Sequence, residues 1–147
     1  MAISSLEAAY EVCRLSNWTI NHERLNALLY LLHLYYLGEK DEPLIDENFR
    51  AWFYRPMLVT IYLKLECFHG RPIQNVFYTV NPHLKTPEIL FINEKFDYLI
   101  ELSDADLFEK VKYHNGALDR TFREAVGEKI DIPNTYIKQE YMDFHQK

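Results

Sequence analysis

The stretch that decides the fold is "LNALLYLLHLYYL", residues 25–37, which is apolar almost all the way round when it is drawn as an α-helix. A surface helix carries one apolar stripe, whereas a helix that is apolar on every side has to be surrounded by other elements. The stretch carries Asn26 and His33, and it is too short to span a bilayer. We therefore expect a helix over about residues 20–37 that lies buried at the centre of a helical domain.

The flanking residues indicate where this central helix begins and ends. "SNWT", residues 16–19, interrupts the helical pattern, and either Thr19 or Asn21 can serve as the N-cap. Gly38 follows the last apolar residue, which is the usual place for a glycine just beyond a helix C-terminus. We therefore expect the helix to end at Leu37.

Further helices are predicted on both sides of the central one. Ser4-x-x-Glu7 is a capping box, and Ser103-x-x-Asp106 is a second N-terminal signal of the same kind. Together with the apolar periodicity, these signals predict helices over residues 5–15, 56–69, 92–102, 104–114 and 117–126, and a last helix opened by Pro133.

"FRAWFYRPM", residues 49–57, has a different pattern. Arg50, Trp52 and Tyr54 alternate with apolar residues, which predicts a short strand with two dissimilar faces. Pro56 has the fixed φ that suits the first position of a helix, so we expect the third helix to begin there.

A β-hairpin is predicted next. "IQNVFYTV" (residues 73–80) and "EILFI" (residues 88–92) are rich in β-branched and aromatic residues, and "NPHLKTP" (residues 81–87) lies between them as a turn region. The sequence thus predicts a mainly α (α+β) fold: one domain over residues 1–147, with a buried central helix and a small antiparallel β-sheet.

Composition limits the function classes. The 147 residues fit one domain, and the formal net charge of −6 argues against a nucleic-acid partner, which needs clustered Lys and Arg. Residues 1–12 have neither the basic nor the apolar region of a signal peptide. We expect a soluble cytoplasmic protein with no membrane partner, and an acidic surface that suits docking against a basic protein.

The chain shows no motif of catalysis. Four glycines leave no phosphate-binding loop, and the six histidines have no metal-ligand spacing. Cys13 and Cys67 each lie in an apolar helical pattern, which predicts buried free thiols. A nucleophile–base pair of Cys67 and His69 is the alternative, but residues two apart on a helix point in different directions. We predict no catalytic residue, no metal and no cofactor.

Two long segments carry a resemblance to a known family. Residues 20–57, "INHERLNALLYLLHLYYLGEKDEPLIDENFRAWFYRPM", and residues 98–114, "YLIELSDADLFEKVKYH", resemble the signature of the Panacea domain, the SocA-like antitoxin family. Residues 132–144 are similar to its closing helix. The matching positions are Leu25, Leu28, Leu29, Tyr30, Pro43, Leu44, Ala51, Trp52, Tyr54, Pro56, Leu102, Ser103, Leu107 and His114. The chain departs from the pattern at Arg55, Met57 and Tyr113.

The resemblance implies a function. Such a protein is an antitoxin, often of phage or prophage origin, which binds a cognate toxin and neutralises it by direct occlusion. The implied toxin is an enzyme that acts on translation or nucleotides, such as an alarmone-synthetase-like enzyme. A protease adaptor that delivers the toxin for degradation is the first alternative, with a cellular protease as second partner. A small enzyme of unrecognised type and a DNA-binding repressor are the others, and the charge disfavours the repressor.

The toxin-binding candidates are Arg50, Trp52, Tyr54 and Arg55, because Trp, Tyr and Arg are enriched in interface hot spots. The alternative is that Trp52 is a packing residue and that Arg55 only pairs with a nearby carboxylate. The remaining matched residues are predicted to be structural, and the principal ones are Leu25, Leu28, Leu29, Tyr30, Ala51, Pro56 and His114.

Overall fold

The computed structural model describes residues 2–52, 55–78, 80–81, 85–112, 115–124 and 130–145. These residues form helices α1 (Ser5–Leu15), α2 (His22–Lys40), α3 (Val59–Leu65), α4 (Pro87–Ile100), α5 (Asp104–Val111), α6 (Ala117–Glu124) and α7 (Asn134–Glu140). They also form the short strands β1 (Arg50–Trp52), β2 (Arg55–Met57) and β3 (Ile130–Asp131), in the antiparallel order β2–β1–β3. The predicted mainly helical domain with a small antiparallel sheet is confirmed.

Helix α2 is the buried centre of this domain, as predicted. It contacts α1, α4, α5, α7 and β2, and Leu25, Leu28 and Leu29 are at most 1% exposed. Of the two possible N-caps, Asn21 is the one used: its side chain accepts a hydrogen bond from the Arg24 amide at 2.9 Å. Within the described ranges, no helix combines the length and apolar character needed to cross a bilayer.

The prediction that Gly38 ends this helix is wrong. Helix α2 continues to Lys40, and Asp41 takes the left-handed cap position with φ 58°. Gly38 lies inside the helix, where the ring of Tyr141 packs against it and leaves no room for a side chain. A Cβ at position 38 would lie 2.0 Å from two carbon atoms of that ring.

Two predicted starts are confirmed and one element is corrected. Ser4 forms its capping box, and the Ser103 hydroxyl accepts from the Asp106 amide. The hairpin over residues 73–92 is wrong: residues 73–78 form no strand, and 88–92 belong to α4. Residues 88–92 form a helix rather than a strand because the Thr86 side chain caps the N-terminus of α4.

Pro56 and the third strand differ from the prediction too. Pro56 lies in the edge strand β2, where its missing N–H is tolerated, and α3 begins at Val59. The carboxylate of Glu47 accepts from the Thr60 amide in the first turn of α3. The third strand comes from Ile130–Asp131 and not from the predicted hairpin.

A buried carboxylate joins the central helix to the end of the chain. Glu140 on α7 is 2% exposed, and its Oε1 accepts from the Tyr30 hydroxyl at 2.9 Å and from the Ala117 amide at 2.8 Å. Burial, with Glu140 beside it, raises the pKa of Tyr30 well above its ordinary value. This contact links the core of α2 to α7 and to the start of α6.

His33 makes a second polar link from the core of α2. It is fully buried, its Nδ1 accepts from the Ile45 amide at 3.3 Å, and its Nε2 lies 3.0 Å from Asn134 Oδ1. Burial lowers the pKa of His33 to about 4, so the ring is neutral and its Nε2–H donates to Asn134.

Candidate functional site

A cleft of about 650 Å³ opens between α2, β2, α3 and α5, and we refer to it as the cleft. Its polar lining includes His22, Asn26, Arg55, Tyr62, Glu66, Cys67, His69 and Lys112. Its apolar lining includes Pro56, Met57, Phe108 and Val111. A partly enclosed, mixed cavity of this size is typical of sites for small molecules.

Two polar side chains of α2 line the cleft, and each has one buried atom without a hydrogen-bond partner in the described part of the chain. His22 is 9% exposed and Asn26 is 8% exposed, and neither His22 Nε2 nor Asn26 Oδ1 has a partner there. Burying such an atom unpaired costs about 1–3 kcal/mol. Burial lowers the pKa of His22, while the carboxylate of Glu23 opposes that change. The cleft therefore presents a neutral imidazole and an amide, four residues apart on one helix face.

An aromatic wall stands beside these groups. The Tyr62 ring lies 5.8 Å from the His22 ring and 4.7 Å from the Trp52 ring, measured between centroids. A hydrogen bond to Glu66 raises the pKa of Tyr62. Trp52 is only 8% exposed, so it supports the Tyr62 ring from the interior of the protein.

His69 lines the cleft in a conformation that favours glycine. It has φ 54° and ψ −125°. It lies in a turn closed by a 3.0 Å hydrogen bond from the Arg71 amide to the Phe68 carbonyl. A non-glycine residue with this backbone is strained, and such strain clusters at functional sites.

The two cysteines differ, which corrects the prediction for one of them. Cys13 is fully buried, and burial raises the pKa of its thiol to about 12. Cys67 is exposed and lines the cleft, because the helix gives way to a 3₁₀ turn at Glu66. Although Cys67 and His69 both line the cleft, no hydrogen bond joins them. Among the described residues, no group of three or more His, Cys, Asp or Glu side chains is placed to hold a metal.

Three of the four toxin-binding candidates lie on one face of the β1–β2 pair. Trp52 is paired with Arg55, and Arg50 with Met57. Arg50 Nε is 3.0 Å from the Asp131 carboxylate, and Arg55 Nη1 is 3.1 Å from the Glu23 carboxylate. Both arginines are exposed and Trp52 is buried, which matches the packing alternative for Trp52 and the ion-pair alternative for Arg55. Tyr54 and His114 lie outside the described residues.

The loop before this pair is acidic and largely exposed. Glu42 and Asp46 are exposed and form no ion pair within the described ranges. Asp41 pairs with Lys138, while Glu47 accepts from the Ser5 hydroxyl and the Thr60 amide. Residues 41–47 thus place free carboxylates in the loop that leads into the β1–β2 hairpin, residues 50–57.

Sequence reasoning missed His22, Asn26 and Tyr62 as site residues. The only signal was the spacing of His22 and Asn26 on an otherwise apolar helix. Comparison with protein-family models, curated proteins and solved structures finds no match for this chain.

Proposed function

We propose that this protein is an antitoxin that binds a cognate protein toxin and neutralises it by covering the toxin's substrate site. The observation that carries the proposal is the position of the acidic loop, residues 41–47. Its exposed Glu42 and Asp46 lie directly before the hairpin that bears Arg50 and Arg55. This hairpin is also the segment where the resemblance to the Panacea domain is most specific.

Charge complementarity gives a physical reason for this contact surface. The chain carries a formal net charge of −6, and an enzyme that acts on nucleotides or RNA commonly presents a basic cleft to them. An acidic loop can enter such a cleft with fast, salt-sensitive association. Inhibition by occupying a surface needs no cofactor and no catalytic residue on the antitoxin.

The hairpin residues take different parts in this contact. Arg50 and Arg55 are exposed, and their partners Asp131 and Glu23 are exposed too, so both arginines can exchange them for a toxin carboxylate. Trp52 is buried against Tyr62, so it holds the hairpin in place rather than anchoring the toxin.

The test is co-expression with the product of the adjoining reading frame, scored by growth. Replacing both Glu42 and Asp46 by Lys should abolish rescue and weaken copurification at low salt. The matched control is the double replacement of Glu94 and Asp97, two exposed acids of α4, by Lys. If the two double variants rescue growth equally, the acidic loop is not the contact surface.

Measuring the amount of toxin separates direct occlusion from delivery to a protease. Occlusion leaves the toxin level unchanged and yields a stable complex. A toxin level that falls only in cells containing the protease would make the protein an adaptor instead.

A further inference from the structure

The turn between α5 and α6 contains Asn115-Gly116, the one place in the chain where glycine follows asparagine. Each of the other eight asparagines precedes a residue that carries a side chain. The backbone nitrogen of the next residue can attack an asparagine carboxamide, and a side chain on that residue obstructs the attack. Glycine has no side chain and lets the backbone approach closely. Asn115 is therefore the asparagine whose carboxamide is least shielded from this reaction.

The structure holds the Asn115 carboxamide in a way that favours the attack. Asn115 is exposed and has φ 63°, a left-handed conformation that asparagine adopts more readily than most residues. Its Oδ1 accepts a hydrogen bond from Arg123 Nη1 at 2.8 Å. When a nucleophile adds to the carbonyl carbon, negative charge develops on this oxygen, and a donor already placed there stabilises that charge. The Arg123 guanidinium therefore makes Cγ of Asn115 a better electrophile.

From this geometry we propose that Asn115 is a site of spontaneous deamidation, in which Arg123 polarises the carboxamide and Gly116 supplies the attacking nitrogen. The Gly116 N–H gives its proton to hydroxide, and the nitrogen forms a bond to Asn115 Cγ. The tetrahedral intermediate expels the side-chain nitrogen, which takes a proton from water and leaves as ammonia. The product is a five-membered succinimide.

Water completes the reaction by opening the succinimide at one of its two carbonyl carbons, which gives aspartate or isoaspartate at position 115. The sum is one water consumed and one ammonia released, and water is the only co-reactant. This modification goes beyond the antitoxin proposal and does not depend on it.

The two products fit the structure differently. Aspartate keeps the main chain unchanged and places a carboxylate beside the Arg123 guanidinium. Isoaspartate routes the main chain through the former side chain, which adds one backbone atom before Gly116. Gly116 and Ala117 are buried, and the Ala117 amide donates to the Glu140 carboxylate at 2.8 Å. The added atom has to displace this amide, so isoaspartate should separate the start of α6 from Glu140.

Mass spectrometry of the protein during storage tests the modification itself. The purified protein is incubated at mildly alkaline pH, and each asparagine-containing peptide is scored for replacement of the amide by a carboxyl group. Conversion should occur at Asn115 before any of the other eight asparagines. Its rate should rise with pH, because the attacking nitrogen has to lose a proton.

Arg123→Met tests the role of the guanidinium. This variant should convert about tenfold more slowly than the parent, since an exposed donor contributes less than the roughly hundredfold or more of an enclosed one. Arg120→Met removes the same charge from the same helix, and Arg120 contacts Glu124 and Tyr136. It is the matched control and should convert at the rate of the parent. In concentrated guanidinium chloride, where the fold is lost, all three proteins should convert at one rate.

Thermal unfolding tests the consequence for the fold. Asn115→Asp reproduces the change of charge without the change of backbone, and it should melt within about 2 °C of the parent. The stored protein should contain a second population that melts about 5 °C lower, because the Ala117 amide has lost its acceptor. That population should grow in step with the isoaspartate content.

Three results would overturn the proposal. The first is that Asn115 in the folded protein converts no faster than the other asparagines. The second is that Arg123→Met converts as fast as the parent or faster, because the guanidinium would then leave the carboxamide unaffected or restrain it. The third is that the stored protein melts with the parent although isoaspartate has formed. None of these measurements needs the toxin, so their failure is distinct from failure of the antitoxin proposal.

Discussion

Replacing Gly38 by Ala tests how the end of the chain is held against the central helix. In an exposed helix interior this change stabilises a protein by about 1 kcal/mol, because glycine is a poor helix former. At Gly38 the new Cβ would lie 2.0 Å from both Cδ atoms of Tyr141 and 2.1 Å from its Cγ. Since carbon atoms pack at about 3.5–4.0 Å, the ring has to retreat by at least about 1.5 Å.

The net effect should be destabilising. Overpacking typically costs about 1–3 kcal/mol, and a methyl group pressed against a ring face belongs at the upper end of that range. Subtracting the gain in helix propensity leaves a net loss of about 2 kcal/mol. For a domain of this size, each kcal/mol lowers the melting temperature by about 2–4 °C.

Urea unfolding of four proteins checks this reasoning: the parent, Gly38→Ala, Tyr141→Ala and the double variant. In the Tyr141→Ala background the Gly38→Ala change should become neutral or stabilising, because the obstructing ring is gone. Gly70→Ala is the matched control: a Cβ there has no neighbour within 4 Å, so the effect should stay within about 0.5 kcal/mol. If Gly38→Ala stabilises the parent, or costs the same in both backgrounds, the packing of Tyr141 against α2 is refuted.

Three further predictions follow from buried or strained groups. Burial lowers the pKa of His33 in the folded protein to about 4, so on acidification the unfolded chain binds a proton before the folded chain does. The free energy of unfolding should therefore have its full value above pH 6.5 and fall as the pH drops towards 4. The loss should reach about 3 kcal/mol, and a His33→Gln variant should show a flatter unfolding free energy over that window. Glu140→Ala should cost about 2–4 kcal/mol, because the Tyr30 hydroxyl and the Ala117 amide lose their acceptor, and Glu140→Gln should cost less in the same urea titration. His69→Gly should raise the melting temperature, because relieving the strained backbone contributes about 1 kcal/mol; a lower melting temperature would contradict the strain.

Local signals predicted the parts of the fold that depend on neighbouring residues. Ser4, Asn21 and Ser103 each cap a helix through an amide three residues further along the chain, so the sequence contains both partners of the contact. The apolar run of α2 predicts its burial for a similar reason, since an all-round apolar surface has to be covered.

Contacts distant in sequence account for the failures. From its neighbours in sequence alone, Gly38 predicts the end of a helix. The need for a glycine there comes from Tyr141, far along the chain, whose ring packs against it. Thr and Pro, as at positions 86 and 87, are common both in turns and at helix N-termini. The β-branched and aromatic residues at 88–92 therefore decided the prediction, and they indicated a strand where the structure has α4. The cleft was not predictable because four elements separated in sequence form its walls.

Two buried polar side chains of α2 differ from the other buried polar side chains of that helix in their hydrogen bonding. Buried polar groups elsewhere on α2 are satisfied: His33 bonds on both ring nitrogens and Tyr30 reaches Glu140. By contrast, His22 and Asn26 are buried with an atom unpaired among the described residues, and the strained His69 lines the same cleft. Local consistency is expected wherever stability alone is selected, and departures from it are expected at functional sites.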